Sequence, residues 1–272
     1  MLKSVLLHLS GSFGCDRVIE LGARIAQCNG ARLRGLSVLD TSSLQSASQS
    51  VSAAHAISDF GRLAQAERGQ AYSHDQLSDI AEKFEVPFDS IGIAGNAIES
   101  LVREAQFHDI VVTAAPTQGN RSTVDLPAWQ LIDLVVKGRQ PTYISRGMNT
   151  QPRRVLLPYD GTEAAARAIR SFLIHNPLRD AQCRLLGVGL AAHEHSKSLQ
   201  AMREYCEARQ PNLEVGCLPG PVRRVLIPYA SKWGADVIAL GVPRTYGLWT
   251  RFLGQLSLDV LNRTHLDLYL VG

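Results

Sequence analysis

The 272-residue chain is short of every feature that marks a specialised protein class. No apolar run approaches the ~18 residues that a membrane-spanning helix needs, so the membrane is not an expected partner. Neither charge sign dominates: 28 basic and 25 acidic residues are scattered along the sequence and leave a formal charge of +3. That balance gives no broad electrostatic footprint, and nucleic acid is not an expected partner either. The five cysteines (Cys15, Cys28, Cys183, Cys206 and Cys217) are odd in number and include no C-x-x-C pair. A disulfide framework or a zinc ribbon needs closer, paired spacing, so free thiols in a reducing cytosol are expected. There is no G-x-S-x-G elbow, and Ser10-Gly11-Ser12-Phe13-Gly14 lacks the lysine of a P-loop.

What is present is ordinary globular composition, with 45% hydrophobic residues, which excludes a disordered chain, a collagen and a coiled-coil rod. Domains commonly run about 100–200 residues, so this length favours two. The apolar core of the N-terminus, Val5 to Leu9, is interrupted by His8. It falls short of the ~7 apolar residues of a signal segment. The same pattern recurs as Val155-Leu156-Leu157-Pro158-Tyr159, so it reads as a strand. The sequons Asn120-Arg121-Ser122 and Asn262-Arg263-Thr264 carry no glycan in a cytoplasmic chain.

That recurrence is part of a longer repeat. Residues 4–12 match residues 154–162 at an offset of 150, and Leu36-Ser37-Val38 matches Gly187-Val188-Gly189 at about the same offset. Asp109 to Ala114 matches Asp236 to Gly241 at 127, and Thr142-Tyr143-Ile144 matches Leu268-Tyr269-Leu270 at 126. The offset falls once, so the first copy carries about two dozen additional residues within 41–84. In the second copy, strand-like runs at 154–159, 182–189, 213–217, 235–241 and 267–271 alternate with helical stripes. Ala164, Ala168, Ile169, Phe172 and Leu173 form one stripe; Val222, Val225, Leu226 and Tyr229 another; Phe252, Leu256 and Val260 a third. Strands without alternation, separated by such helices, predict a parallel sheet covered on both faces. The fold class is therefore α/β: two tandem five-stranded, Rossmann-like sandwiches, over 1–147 and 152–272, with a polar linker ending at Pro152. The extra segment opens as the serine-rich stretch 41–50 and turns helical at Leu77, Ile80, Ala81 and Phe84. A surface loop is the expected role and a lid over a ligand the alternative.

Ligands of an open parallel sheet bind beyond the carboxyl ends of its strands. In the second copy those ends carry Asp160-Gly161-Thr162, Val188-Gly189 and the loop from Gly241 to Gln255. Glycines 241, 247 and 254 let backbone approach a ligand, and Arg244 and Arg251 supply charge for a phosphate. A strand followed by Asp-Gly-Thr, then Asp236-Val237-Ile238-Ala239-Leu240-Gly241, a glycine-rich loop and a last helix and strand resembles the universal stress protein family. The resemblance covers both copies, and places the fold among adenine nucleotide alpha hydrolase-like sandwiches. It implies ATP, with Mg²⁺, bound through a glycine, two residues, a glycine, nine residues, then Gly-Ser or Gly-Thr. That frame falls on Gly241, Arg244, Gly254 and Gln255: the first and third positions match, while Arg244 replaces a glycine and Gln255 a hydroxyl residue. Asp160 would then lie near the ribose or a metal, and the Val188 backbone would meet the adenine.

The first copy departs further. Ser10 stands where Asp160 stands, His8 where Pro158 stands, Ala114 where Gly241 stands, and Leu126-Pro127-Ala128 near the place of Gly254. His8 reads as a satisfied histidine at a strand end. His193-x-His195 is the one spacing that offers a metal pair, but its polar surroundings read as a loop or helix start. Arg223-Arg224 and Arg153-Arg154 read as surface charge. Family members generally dimerise through their fifth strands, here 142–145 and 268–271. That pairing is either internal, giving a pseudo-dimer, or between two chains. The functional expectation is a cytoplasmic stress-response module, not an enzyme beyond at most a weak ATPase, that responds to adenine nucleotide. The alternative is a nucleotide-free scaffold acting through protein interaction.

Overall fold

The computed structural model describes residues 2–10, 15–40, 53–116, 126–189, 194–243 and 255–272. The first half contributes strands β1 (Ser4–His8), β2 (Arg32–Asp40), β3 (Phe88–Gly95), β4 (Ile110–Ala114) and β5 (Thr142–Ser145). Its helices are α1 (Cys15–Asn29), α2 (Ala53–Lys83), α3 (Ala97–Ala105) and α4 (Ala128–Gly138). The second half follows with β6 (Arg154–Tyr159), β7 (Gln182–Val188), β8 (Glu214–Leu218), β9 (Val237–Gly241) and β10 (Asp267–Val271). Between them run α5 (Glu163–His175), α6 (Glu194–Glu207), α7 (Val222–Trp233) and α8 (Gln255–Arg263). No helix among the described residues is long and apolar enough to cross a membrane.

The central strands lack alternation because both of their faces are covered, whereas the outer strands β3 and β8 alternate between exposed and partly buried residues. Val5, Leu6 and Leu7 in β1, and Val155, Leu156 and Leu157 in β6, are all fully buried. Leu7 and Leu157 join one apolar layer with residues of α1, α5 and α6; Leu6 and Leu156 join the other with residues of α3, α4, α7 and α8. At about 25 cal/mol per Å² of buried apolar surface, these two layers dominate the stabilisation of the fold.

The ten strands form one sheet in the order β3-β2-β1-β4-β5-β10-β9-β6-β7-β8. Every neighbouring pair is parallel except β5 and β10, which run antiparallel with Tyr143 opposite Tyr269. The fifth strands thus occupy each other's edges within the chain, which removes the unpaired edge that each half alone would present. The register also corrects one alignment. Leu7 pairs with Gly35 and Leu157 with Leu185, so the offset of 150 continues through β2 and β7. Val38, not Ser37, occupies the place of Val188.

Within the segment 41–84, residues 53–83 form one long helix whose last turns pack against the sheet. Helix α2 has 31 residues where its counterpart α6 has 14. Its last turns bury Leu77, Ala81 and, just beyond, Phe84. Gly35 makes that approach feasible, because a Cβ there would come within 2.3 Å of the Leu77 side chain. One to two turns earlier the inward face becomes polar: Gln70 Nε2 donates to Ser37 Oγ at 2.7 Å, and His74 Nε2 lies 2.7 Å from the same hydroxyl. Residues 41–52, where a lid is the alternative expectation, lie outside the described residues.

Candidate functional site

The site is built from the turn that starts α5. Asp160 Oδ1 accepts from the Thr162 backbone N–H at 3.0 Å and from its hydroxyl at 2.6 Å, while Thr162 Oγ1 accepts from Ala165 N at 3.2 Å. Gly161 takes a φ of +83°, which an L side chain resists. Asp-Gly-Thr is therefore an Asx turn joined to a helix cap, and it satisfies N–H groups that the helix start leaves open. One Asp160 oxygen is committed to this turn.

Three strand ends converge here. A pocket of about 530 Å³ is lined by Pro158 near the end of β6, Asp160 and Thr162 just after it, Val188 at the end of β7, and Leu240 and Gly241 at the end of β9. Pro221 and Val222 at the start of α7 and Leu256 of α8 complete much of its apolar wall. The volume and the apolar lining with a few polar groups suit a small organic ligand. Of the residues singled out in the sequence, Asp160, Val188 and Gly241 are brought together. Arg244 and Gly254 lie outside the described residues; Gln255 is the first residue of α8, with its side chain outside them. Val188 is buried, and the chain turns directly after it at Gly189, whose N–H donates to Leu218 O at 3.1 Å.

Gly241 has a packing reason independent of any ligand. A Cβ there would stand 2.0 Å from the Ala164 carbonyl oxygen, so the glycine lets β9 touch the first turn of α5. Two arginines of the pocket wall were not read as site residues in the sequence. Arg167 Nη2 donates to Val242 O at 3.1 Å and its Nη1 lies 3.3 Å from Glu163, tying α5 to the exit of β9. Arg223, read as surface charge, lies 3.5 Å from Asp259 and ties α7 to α8. Spacing offered a signal only for Arg167, four residues after Glu163 on one helical face.

At the equivalent strand ends of the first half the described residues differ. His8 is 4% exposed, and its Nδ1 lies 3.0 Å from Thr113 Oγ1, where the second half has Pro158 and Leu240. Burial pushes the imidazole down to about 4, so it is neutral at pH 7. Leu126 is buried in one apolar layer with Val38, Ala97 and Ala115. Among the described residues no group of three or more His, Cys, Asp or Glu side chains could hold a metal. His193 lies outside the described residues and His195 falls in α6, with its side chain outside them.

Solved structures share this architecture over nearly the whole chain. A universal stress protein from Archaeoglobus fulgidus DSM 4304 superposes with a TM-score of 0.71 at 15% identity, covering 98% of this chain and 97% of its own. The chain has the tandem universal stress protein fold. A putative universal stress protein from Pseudomonas aeruginosa UCBPP-PA14 matches with a TM-score of 0.63 at 11% identity, over 99% of this chain and 93% of its own. A functionally unknown protein from Pseudomonas aeruginosa PAO1 matches with a TM-score of 0.61 at 13% identity, over 99% and 92%. No family model and no curated protein matches the sequence. The universal stress protein fold is thus shared at 11–15% identity.

Proposed function

We propose that the chain is a tandem universal stress protein, two copies of one unit over 1–147 and 152–272, that binds one adenine nucleotide in its second half. It acts as a binding or regulatory module in the cytosol, where its free cysteines stay reduced. The observation that carries this reading is the pocket itself: Asp160, Val188 and Gly241 line one cavity at the carboxyl ends of β6, β7 and β9. Its apolar wall suits an adenine ring, and Asp160 retains one oxygen outside the Asx turn for a ribose hydroxyl. A magnesium ion would arrive with the phosphates, because Mg²⁺ commonly uses one or two carboxylates plus phosphate oxygens. Phosphate charge would fall to the 244–255 segment, which supplies Arg244, Arg251 and the backbone N–H groups at the start of α8.

A second reading has its own support. Gly241 is explained by the Ala164 carbonyl and Asp160 by its turn, so both also fit a scaffold that binds no nucleotide. Calorimetric titration of ATP with Mg²⁺ separates the two. A saturable heat supports the nucleotide reading. No heat from the native chain, and none after Arg244→Gly with Gln255→Ser, leaves the scaffold. Multiple-turnover phosphate release lost on Asp160→Ala would instead make the protein an ATPase.

A further inference from the structure

Helix α8 begins at Gln255, and Leu256 beside it lines the second-half pocket, yet its other end is held by the first half. Arg146, the residue after β5, donates from Nη2 to the carbonyl of Leu261 in the last turn of α8. Its backbone N–H donates to Asp267 Oδ1 at 2.7 Å, which fixes Arg146 on β10 as well. The guanidinium is partly buried, and its Nε is a buried atom with no partner among the described residues. Keeping a charged group there, with one donor unmade, costs free energy that a surface arginine would not. A cation at a helix C-terminus offsets part of this cost by meeting open carbonyls and the negative end of the helix dipole.

The same helix packs against the first half near its C-terminal end. α8 packs against α4 across the β5–β10 seam, and Val260 and Leu261 share an apolar layer with Leu131, Leu134 and Val135. A Cβ on Gly272 would come within 2.4 Å of the Val135 carbonyl oxygen, so β10 closes onto α4 at the same place. One end of α8 therefore faces the pocket, which Leu256 lines; Gln255, just before it, is the position the nucleotide reading assigns to a phosphate. The far end is set by a side chain from the other half.

We infer that Arg146 is a positioning residue for the nucleotide site, setting α8 so that its N-terminal backbone meets the phosphates. This inference rests on the nucleotide reading of the second-half pocket. It gives the first half a defined part in binding. The effect belongs to the phosphate end of the ligand, because adenine and ribose meet β6, β7 and α7, which Arg146 does not touch.

The test is calorimetric titration of the full chain with ATP and, separately, adenosine, both with Mg²⁺, comparing native protein, Arg146→Ala and Tyr143→Phe. Arg146→Ala is expected to weaken ATP roughly tenfold while changing adenosine by less than about twofold. Tyr143→Phe removes a seam hydrogen bond to Asp267 Oδ2 but leaves Arg146 its bonds to Asp267 Oδ1 and Leu261 O, and is expected to change neither. Equal weakening of ATP and adenosine, or native ATP affinity in Arg146→Ala, overturns the positioning role and leaves the nucleotide reading standing. Absence of ATP binding in the native chain overturns both. Should Arg146→Ala fail to fold, Arg146→Lys supplies the same comparison, because it keeps the charge but loses the planar reach to Leu261.

Discussion

The Tyr143 hydroxyl donates to Asp267 Oδ2 at 3.0 Å, from the last strand of the first half to the last strand of the second. The carboxylate also accepts from Ser145 Oγ at 3.4 Å and from Arg146 N. Burial outweighs these donors and pushes Asp267 up to about 6. His8 is shifted the other way, to about 4, by burial alone. Asp267 above its unfolded value of 3.8 contributes stability at low pH that is lost as pH rises from about 4 to 6. His8 below its unfolded value of 6.5 contributes stability at neutral pH that is lost as pH falls from 6.5 to about 4.

The two shifts have opposite signs, so their contributions oppose each other between about pH 4 and 6. Urea unfolding across that range is expected to separate them. The stability of native protein minus Asp267→Asn should fall as pH rises, and that of native minus His8→Leu should rise. Two differences that are both flat would show that neither group titrates as buried.

Gly241→Ala tests whether the glycine has a packing role. The new methyl would meet the Ala164 backbone rather than a flexible side chain, so the first turn of α5 must move. A loss of roughly 2–3 kcal/mol or more is expected in denaturant unfolding without any ligand. A variant of native stability would return Gly241 to a purely ligand-facing role.

The two outer strand pairs repeat one ion pair. Arg34 of β2 binds Asp89 of β3 with Glu104 as a second partner, and Arg184 of β7 binds Glu214 of β8 with Tyr229 beside it. Both pairs are partly exposed, so Asp89→Ala and Glu214→Ala are each expected to cost about 1 kcal/mol. Standing at opposite ends of the sheet, their costs should add in the double variant. The Arg34 guanidinium holds Asp89 below the usual carboxylate range. That pair's contribution is therefore present at neutral pH and fades as pH falls through the folded value.

Much of this was legible in the residues. Fully buried strands show as unbroken apolar runs, so β6 and β10 fall at the expected 154–159 and 267–271. The repeated ion pair escaped because Arg34 and Asp89 are separated by the additional segment, which hides their match to Arg184 and Glu214. The length of α2 escaped because Gly61 and Gly69 interrupt its pattern, and only the Leu77–Phe84 end carries a continuous apolar stripe. The β5–β10 pairing is one of two alternatives that the sequence leaves open, because an apolar edge strand says that it needs a partner but not which chain supplies it. Gly241 was read for a ligand because sequence cannot show the Ala164 carbonyl beside it.

A bulky side chain in the pocket mouth should block the ligand while sparing the fold. Val222 is only partly buried at the first residue of α7, so Val222→Trp is expected to abolish ATP binding with little change in unfolding midpoint. Retained binding would place the nucleotide elsewhere.

Hydrogen exchange of the full chain with and without ATP and Mg²⁺ tests the central claim, one nucleotide site in the second half, most directly. The account predicts new protection in peptides covering 158–165, 187–189, 221–225 and 240–243, and none in 7–10 or 113–116. Protection at the first-half strand ends, or no protection in either half at saturating nucleotide, would contradict it.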